Sequence, residues 1–342
     1  MKAVRLKQPG GLDQLTVTQS EPRAPGAGEA LVRVRASSLN YHDYLVATGA
    51  IPTAVGRIPM SDGAGEIVEM GPPAESLASD PSAQFKVGDH VVGTFYRDWR
   101  DGEATPEKLK GVVGEQVDGY ACEFATVPTT ALTRAPRGYS HQESATLPCA
   151  GLTAWHALIG DGPVKPGETV LVQGTGGVSI FALQLAKAAG AAVIATSSSD
   201  EKLERLRQLG ADHVINYRNQ PKWGAAAKEW TGGRGVDHVV EVGGPGTLAQ
   251  SITACRLGGH IALIGVLTGM SGDIPTVRLM ANQIRLQGVT VGSRQELIRM
   301  IRALEVNNLR PVIDTGFPLD NIADAFRHQE SGRHFGKICL MI

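Results

Sequence analysis

Gly174 and Gly176, with Gly177 beside them, stand between an apolar run, Thr169-Val170-Leu171-Val172-Gln173, and a segment, Ile180 to Lys187, whose apolar residues recur at helical spacing. Glycine at those places is what the binding of a pyrophosphate asks for. Gly174 permits the tight turn, Gly176 lets the backbone come close to the phosphates, and the helix starting at Gly177 and Val178 offers unpaired N–H groups and the positive end of its dipole. Ser179 stands where the full fingerprint has a third glycine. A bare Gly-x-Gly also occurs at ordinary strand-to-helix turns; the strand before it and the helix after it favour a dinucleotide here. A second chemical group lies downstream. An acid about 20 residues past the glycines would hold a ribose 2′-hydroxyl and repel a 2′-phosphate. At that distance the chain has Ser197, in Ala195-Thr196-Ser197-Ser198-Ser199-Asp200-Glu201-Lys202, and the acids come only with the next helix. Hydroxyl donors with Lys202 make a phosphate pocket, which predicts NADP(H) over NAD(H). The same residues also suit a plain helix cap with Asp200 as N-cap.

Such a site needs a sheet to present it. Strands are predicted at 169–173, 192–196, 213–215, 237–241, 259–265 and 285–291, with helices such as Asp200 to Leu209 between most of them. That alternation predicts an α/β fold, a doubly wound parallel sheet covered on both faces. The chain before about residue 130 reads differently: Ala30 to Arg35 alternates, and Gly65 to Gly71 and Asp89 to Gly93 are bounded strands, which makes a β-rich domain. Pro72 to Phe85 reads as a surface loop. Tyr96 to Gln116, polar and aperiodic, reads as a loop over the body of that domain, either a lid or a solvated insertion. After Gly292 a helix, Gln295 to Val306, and a strand, Lys337 to Ile342, have no sheet of their own and are expected to return to the first domain. The expected boundaries are 1–149 with 293–342 for one domain and 150–292 for the cofactor domain.

The whole chain narrows the function. Its 342 residues suit two domains, each with a core of its own. A formal net charge of −1 gives no global field toward nucleic acid or an anionic membrane. No apolar run approaches the roughly 18 residues of a membrane span. Met1 to Leu6 alternates like a strand and lacks the apolar core of a signal peptide, so a cytoplasmic location is expected. Cys122, Cys149, Cys255 and Cys339 are scattered with no Cys-x-x-Cys, which argues against a disulfide framework and a thiolate zinc lobe. The sixth strand, Ile284 to Val291, would be an exposed apolar edge in a monomer, and this predicts a homodimer.

Several stretches, in their order and spacing, resemble the medium-chain dehydrogenase/reductase family over nearly the full length: Ser61 to Val68, Phe85 to Val91, Leu147 to Ala154, Gln173 to Ser179 and Leu209 to Ile215. The resemblance implies a GroES-like substrate domain, a Rossmann cofactor domain and an active site in the cleft between them. Zinc-dependent members hold their catalytic ion with a Cys, a His-Glu pair and a third Cys or Asp, because tetrahedral zinc takes three protein ligands and keeps an open position. The matching positions here are Asn40, Ser61 followed by Asp62, and Cys149. One soft ligand does not make a zinc site, and the region of the structural zinc lobe holds only Cys122. The chain therefore resembles the zinc-independent branch that includes the quinone oxidoreductases, and no metal is expected.

In that branch a Ser, a Lys and a Tyr surround the 2′-phosphate, at positions that match Ser197, Lys202 and Tyr217. The resemblance also places Thr153 near the nicotinamide, Val242 and Gly243 on the adenosine side, and Ile264, Gly265 and Val266 against the nicotinamide ribose and carboxamide. Val291 and Ser293 should meet the same end of the cofactor, and Lys337 should reach the cofactor phosphates or Asp43. Asn40, Tyr41 and His42 fall where the family lines its cleft. Hydride transfer is the cofactor's chemistry, so without zinc the charge growing on the substrate oxygen must be met by hydrogen-bond donors or by a proton, which Tyr41 or His42 could give. Phe95, Tyr96, Trp99 and Tyr120 are candidates for an aromatic wall suited to a flat substrate. The resulting expectation is an NADPH-dependent reductase of a small-molecule conjugated carbonyl, a quinone or an enone. An alcohol/aldehyde oxidoreductase of the same fold is one alternative, and a cofactor-binding protein with little turnover is another.

Overall fold

The computed structural model describes residues 1–77 and 80–342. Two compact units are present, Met1–Leu152 with Val291–Ile342, and Thr153–Thr290.

The second unit is a six-stranded sheet in the order His213–Asn216, Ala192–Ser197, Thr169–Gln173, Val236–Glu241, Cys255–Leu263, Arg285–Gly288, with every neighbouring pair parallel. Helices Gly177–Ala188, Asp200–Gln208, Trp223–Trp230, Pro245–Ala254 and the short Thr276–Ala281 lie in the five crossovers. All residues of Thr169–Gln173 and Val236–Glu241 are buried, as central strands covered on two faces must be. The chain winds outward from Thr169–Gln173 first to one side and then to the other. The order therefore reverses between that strand and Val236–Glu241, the place where doubly wound sheets open a crevice for ligands. Two predicted strands differ in extent: the fifth begins earlier, at Cys255, and the sixth is shorter, Arg285–Gly288. The edge is also more polar than expected, because Arg285 and Gln287 are its exposed side chains; the exposed apolar ones, Leu267, Met270, Val277 and Met280, precede it in the chain.

The first unit is built on a seven-stranded sheet. Ile313–Pro318, Lys337–Met341, Glu29–Ser38, Ala64–Met70, His90–Gly93 and Leu132–Arg134 follow one another, and Phe124–Pro128 pairs with Glu29–Ser38. Gly65 is required where two of these strands meet, because a Cβ there would lie 2.0 Å from the Arg33 carbonyl oxygen. The tail joins this sheet through Lys337–Met341, which runs antiparallel to Glu29–Ser38 with Cys339 opposite Ser38. It adds a strand the sequence pattern did not announce, Ile313–Pro318, whose residues are half-buried and carry no clean alternation. Of the two predicted loops, Pro72 to Phe85 holds short turns of 3₁₀ helix at Glu75–Leu77 and Pro81–Ala83, and residues 78 and 79 lie outside the described residues. The other, Tyr96 to Gln116, has a packed underside. Tyr96 and Trp99 are buried, and the carbonyls of Trp99 and Arg100 accept the N–H groups of Arg294 and Gln295, both at 2.9 Å. Those bonds satisfy two orphan donors at the start of the helix Arg294–Val306. Among the described residues no helix is long and apolar enough to cross a membrane.

Candidate active site

In the first unit the strand Glu29–Ser38 leads into the helix Tyr41–Thr48, and Asn40 is the extended residue between them. Asp43 fixes this start. Its Oδ2 accepts the Asn40 N–H at 3.0 Å and its Oδ1 accepts the Ser61 N–H at 2.8 Å. Lys337 does not reach Asp43, nor is it open to a cofactor phosphate, as had been expected. Its strand runs beside Glu29–Ser38, so the side chain enters beneath the helix start and is 3% exposed. There Nζ donates to the Leu39 carbonyl at 2.6 Å and to Asn40 Oδ1, and lies 3.5 Å from Asp62 Oδ2. These acceptors offset the desolvation of a buried ammonium. Asn40 Nδ2 donates to Ser61 Oγ at 3.2 Å, so both ends of this amide are engaged inside the protein. Asp62 is fully buried and accepts from Ser38 Oγ at 2.6 Å and from the Cys149 N–H at 3.0 Å. Burial pushes its carboxyl up to about 6 against the pull of the Lys337 ammonium.

The next residue along the helix behaves differently. His42 Nε2 lies 2.7 Å from Glu115 Oε2, whereas Nδ1 is 3.6 Å from Asp43 Oδ1, beyond hydrogen-bond length, and is buried without a partner. Burial drives the ring toward neutrality, but the carboxylates of Asp43 and Glu115 more than offset it and raise its pKa to about 9. The His42 hydrogen bond in turn holds Glu115 below the usual carboxylate range. The Phe95 ring meets His42 edge-on with centroids 5.1 Å apart. Phe95, Tyr96 and Trp99 do form a contiguous aromatic run, with centroids 4.9 and 5.8 Å apart. Tyr120 does not belong to it. Its ring fills the core over Gly63 and Gly93, whose Cβ atoms would lie 2.2 and 2.0 Å from it. Tyr41, exposed, stacks on Tyr44.

In the second unit the glycine turn has the form a dinucleotide needs. Gly174 adopts φ +71°, a Cβ at Gly174 or Gly176 would meet nothing within 4 Å, and the helix Gly177–Ala188 starts at Gly176 without a side-chain cap. Open space thus faces the uncapped N–H groups beside Gly177 and Val178. Ser179 accounts for the missing third glycine: its Oγ donates to the Gln173 carbonyl at 2.6 Å, satisfying the last oxygen of the strand. Ser197 ends its strand and accepts the Ser199 N–H at 3.2 Å. The N-cap of the next helix is Ser199, not Asp200, because the extended residue is the one before the first turn; it accepts the Lys202 N–H at 3.4 Å. Tyr217 donates its N–H to the Ser197 carbonyl at 3.1 Å, so the fold brings the ends of three elements carrying Ser197, Lys202 and Tyr217 together. Val242 with Gly243, and Ile264 with Gly265 and Val266, follow two neighbouring strands; a Cβ on Gly265 would lie 2.0 Å from the Val242 carbonyl oxygen. Thr153 is buried in the short helix Leu152–Trp155. Val291 and Ser293 fall in the first unit, where the Ser293 hydroxyl caps the helix Arg294–Val306 through Glu296.

The sequence reading passed over Glu241, which organises the switch point. Fully buried, it accepts the N–H groups of Gly243 at 2.8 Å and Gly244 at 2.9 Å, Thr247 Oγ1 at 2.5 Å, Gln173 Nε2 at 2.7 Å and the Ser251 hydroxyl. An acid closing an apolar strand just before Gly243-Gly244 was the available signal.

Two family descriptions match the chain, an alcohol dehydrogenase GroES-like domain over residues 26–137 and a zinc-binding dehydrogenase over residues 177–305. A zinc-type alcohol dehydrogenase-like protein of Schizosaccharomyces pombe is 42% identical over 97% of this chain and 96% of its own. The chain belongs to the medium-chain dehydrogenase/reductase family. Among solved members of similar fold, an NAD-dependent alcohol dehydrogenase matches with 32% identity and a TM-score of 0.90, covering 100% of both chains. A mycobacterial protein solved with NADPH matches with 25% identity and a TM-score of 0.84, again over 100% of both. This medium-chain dehydrogenase is thus an oxidoreductase with a GroES-like unit and a Rossmann unit. The family description names zinc, yet the side chains at the ligand positions do not fit that ion. Asn40 and Asp62 face the Lys337 ammonium and Ser61 offers a neutral hydroxyl, which leaves Cys149 as the one soft ligand among these positions.

Proposed function

We propose that this medium-chain dehydrogenase is a zinc-independent, NADPH-dependent reductase of conjugated carbonyls, either quinones or α,β-unsaturated ketones and aldehydes. The observation that carries the reading is His42, a ring flanked by two carboxylates whose Nδ1 has no acceptor within hydrogen-bond reach. An imidazolium there holds a proton that can neutralise the developing oxyanion, a role a metal would otherwise share. Bound NADPH supplies the hydride. Gly174, Gly176, Gly177 and Val178 hold its pyrophosphate, and Ser197, Lys202 and Tyr217 surround its 2′-phosphate, with no acid at the strand end to repel it. Asn40 and Lys337 hold the segment that carries Tyr41 and His42 in place.

An NADPH-oxidation screen over 1,4-naphthoquinone, trans-2-hexenal and saturated aldehydes, with and without added zinc, tests this directly. Turnover of the conjugated compounds without zinc is expected. Stoichiometric zinc with chelator-sensitive oxidation of alcohols, which the names of the relatives favour, would replace this reading with an alcohol dehydrogenase. The cofactor choice has its own test. Ser197→Asp keeps an acceptor for the Ser199 N–H while setting a carboxylate against the 2′-phosphate, so the NADPH-to-NADH affinity ratio should fall by about tenfold or more. An unchanged ratio would place the 2′-phosphate elsewhere. The proposal includes a homodimer through the edge strand Arg285–Gly288, which pairs on one side only and follows a segment with exposed Leu267, Met270, Val277 and Met280. Light scattering should give twice the 36.1 kDa of the chain, and a monomer mass would reject the pairing.

A further inference from the structure

Glu115 stands at the end of the loop that begins at Tyr96, and it is the only side chain among the described residues that hydrogen-bonds the His42 ring. We infer that Glu115 is a positioning residue for the reaction: its carboxylate fixes the His42 ring and keeps that ring doubly protonated. The inference rests on the proposed role of His42. A carboxylate only accepts, so the ring nitrogen 2.7 Å away must carry a hydrogen. A neutral ring would then leave Nδ1 as a bare lone pair facing Asp43 Oδ1 at 3.6 Å, one acceptor against another. Both flanks therefore favour the doubly protonated ring.

The charged surroundings are few. Asp43 faces the ring from its own helix and Glu115 faces it from the loop. Behind Glu115, the Arg57 guanidinium donates to the Glu115 carbonyl at 3.0 Å and to Asp118 at 2.9 Å, and Gln116 Nε2 lies 3.4 Å from Glu115 Oε1. Phe95 closes another side with an uncharged edge. The Glu115 backbone is anchored apart from its carboxylate, through Thr53 Oγ1 and Arg57 on its carbonyl and through Arg57 Nη2 on the Gln116 carbonyl at 2.9 Å. Changing the carboxylate alone therefore leaves the loop's main-chain ties intact. The loop read from sequence as a lid or a solvated insertion is in this account a supplier of one side chain to the site.

The test compares the parent with Glu115→Gln, following the His42 ring by NMR titration of labelled histidine, assigned against His42→Asn, alongside the pH dependence of kcat/KM for NADPH and trans-2-hexenal. The parent ring should titrate near 9 and the variant at least one pH unit lower, a tenfold or greater loss of proton affinity, with the alkaline limb of kcat/KM moving by the same amount. NADPH affinity should stay in place, and so should thermal unfolding at pH 10, where the ring is largely neutral in both proteins, which a merely structural role for the side chain would not allow. Glu115→Asp, with a carboxylate on a shorter arm, should titrate between the two. A His42 midpoint that does not move in Glu115→Gln, or one that moves equally in Glu115→Asp, overturns the role of Glu115. A midpoint that moves while the alkaline limb stays fixed overturns His42 as the proton donor instead.

Discussion

Replacing Glu241 with glutamine is expected to lower the thermal unfolding midpoint by roughly 10 °C and to weaken dinucleotide binding at the same time. The carboxylate is fully buried, and all five of its partners are donors: two backbone N–H groups, two hydroxyls and one side-chain amide. A glutamine has one oxygen to offer. With its oxygen toward Gly243, Gly244 and Thr247, its nitrogen faces the Gln173 amide nitrogen and the Ser251 hydroxyl, and the Gln173 N–H loses its carboxylate acceptor in a buried place. Breaking a buried charged network of this kind costs on the order of 3–5 kcal/mol. The donors belong to the strand Thr169–Gln173, to the turn Gly243-Gly244 and to the helix Pro245–Ala254, so the damage falls at the switch point, where the sheet presents its ligand. Calorimetry with an NADPH fluorescence titration checks both parts. A variant with an unchanged midpoint would show that the network does not hold the second unit together.

How much of this could be read in the chain follows from how local each signal is. The glycine turn was legible because its chemistry sits in consecutive residues, and Ser197 was legible because a fixed strand-and-helix spacing puts it at the neighbouring strand end. The parallel sheet showed itself in short apolar runs at regular intervals, the mark of strands buried on both faces. The strand Ile313–Pro318 did not, since it is an edge strand and is only half-buried, which leaves no strict alternation. Contacts between distant parts of the chain were the least legible. Lys337 finds Asn40 across 297 positions and His42 finds Glu115 across 73, and no pattern in either segment names its partner. Tyr120 illustrates the same limit from the other side. An aromatic next to Gly119 resembles a cleft residue in sequence, and only the close packing of Gly63 and Gly93 on its ring assigns it to the core.

His42→Asn should lower kcat for the conjugated carbonyl by about 100-fold to 1000-fold while leaving NADPH affinity unchanged. The asparagine keeps a polar group near Glu115 but carries neither a transferable proton nor a charge. The pH dependence gives the sharper discrimination. The parent ring is held protonated up to about 9, so the parent rate should be flat through neutrality and fall tenfold per unit above that value. In the variant the alkaline limb should vanish, because water then supplies the proton at every pH. Stability should follow the same sign. A histidine whose folded pKa lies above its unfolded value of about 6.5 contributes fully below 6.5 and loses that contribution as pH rises through about 9. The parent should therefore lose stability relative to His42→Asn between those limits, by denaturant titration at pH 6 and pH 10. A parent enzyme whose rate and stability both ignore this window would carry a neutral His42, and the proton that the reaction needs would have to come from another group.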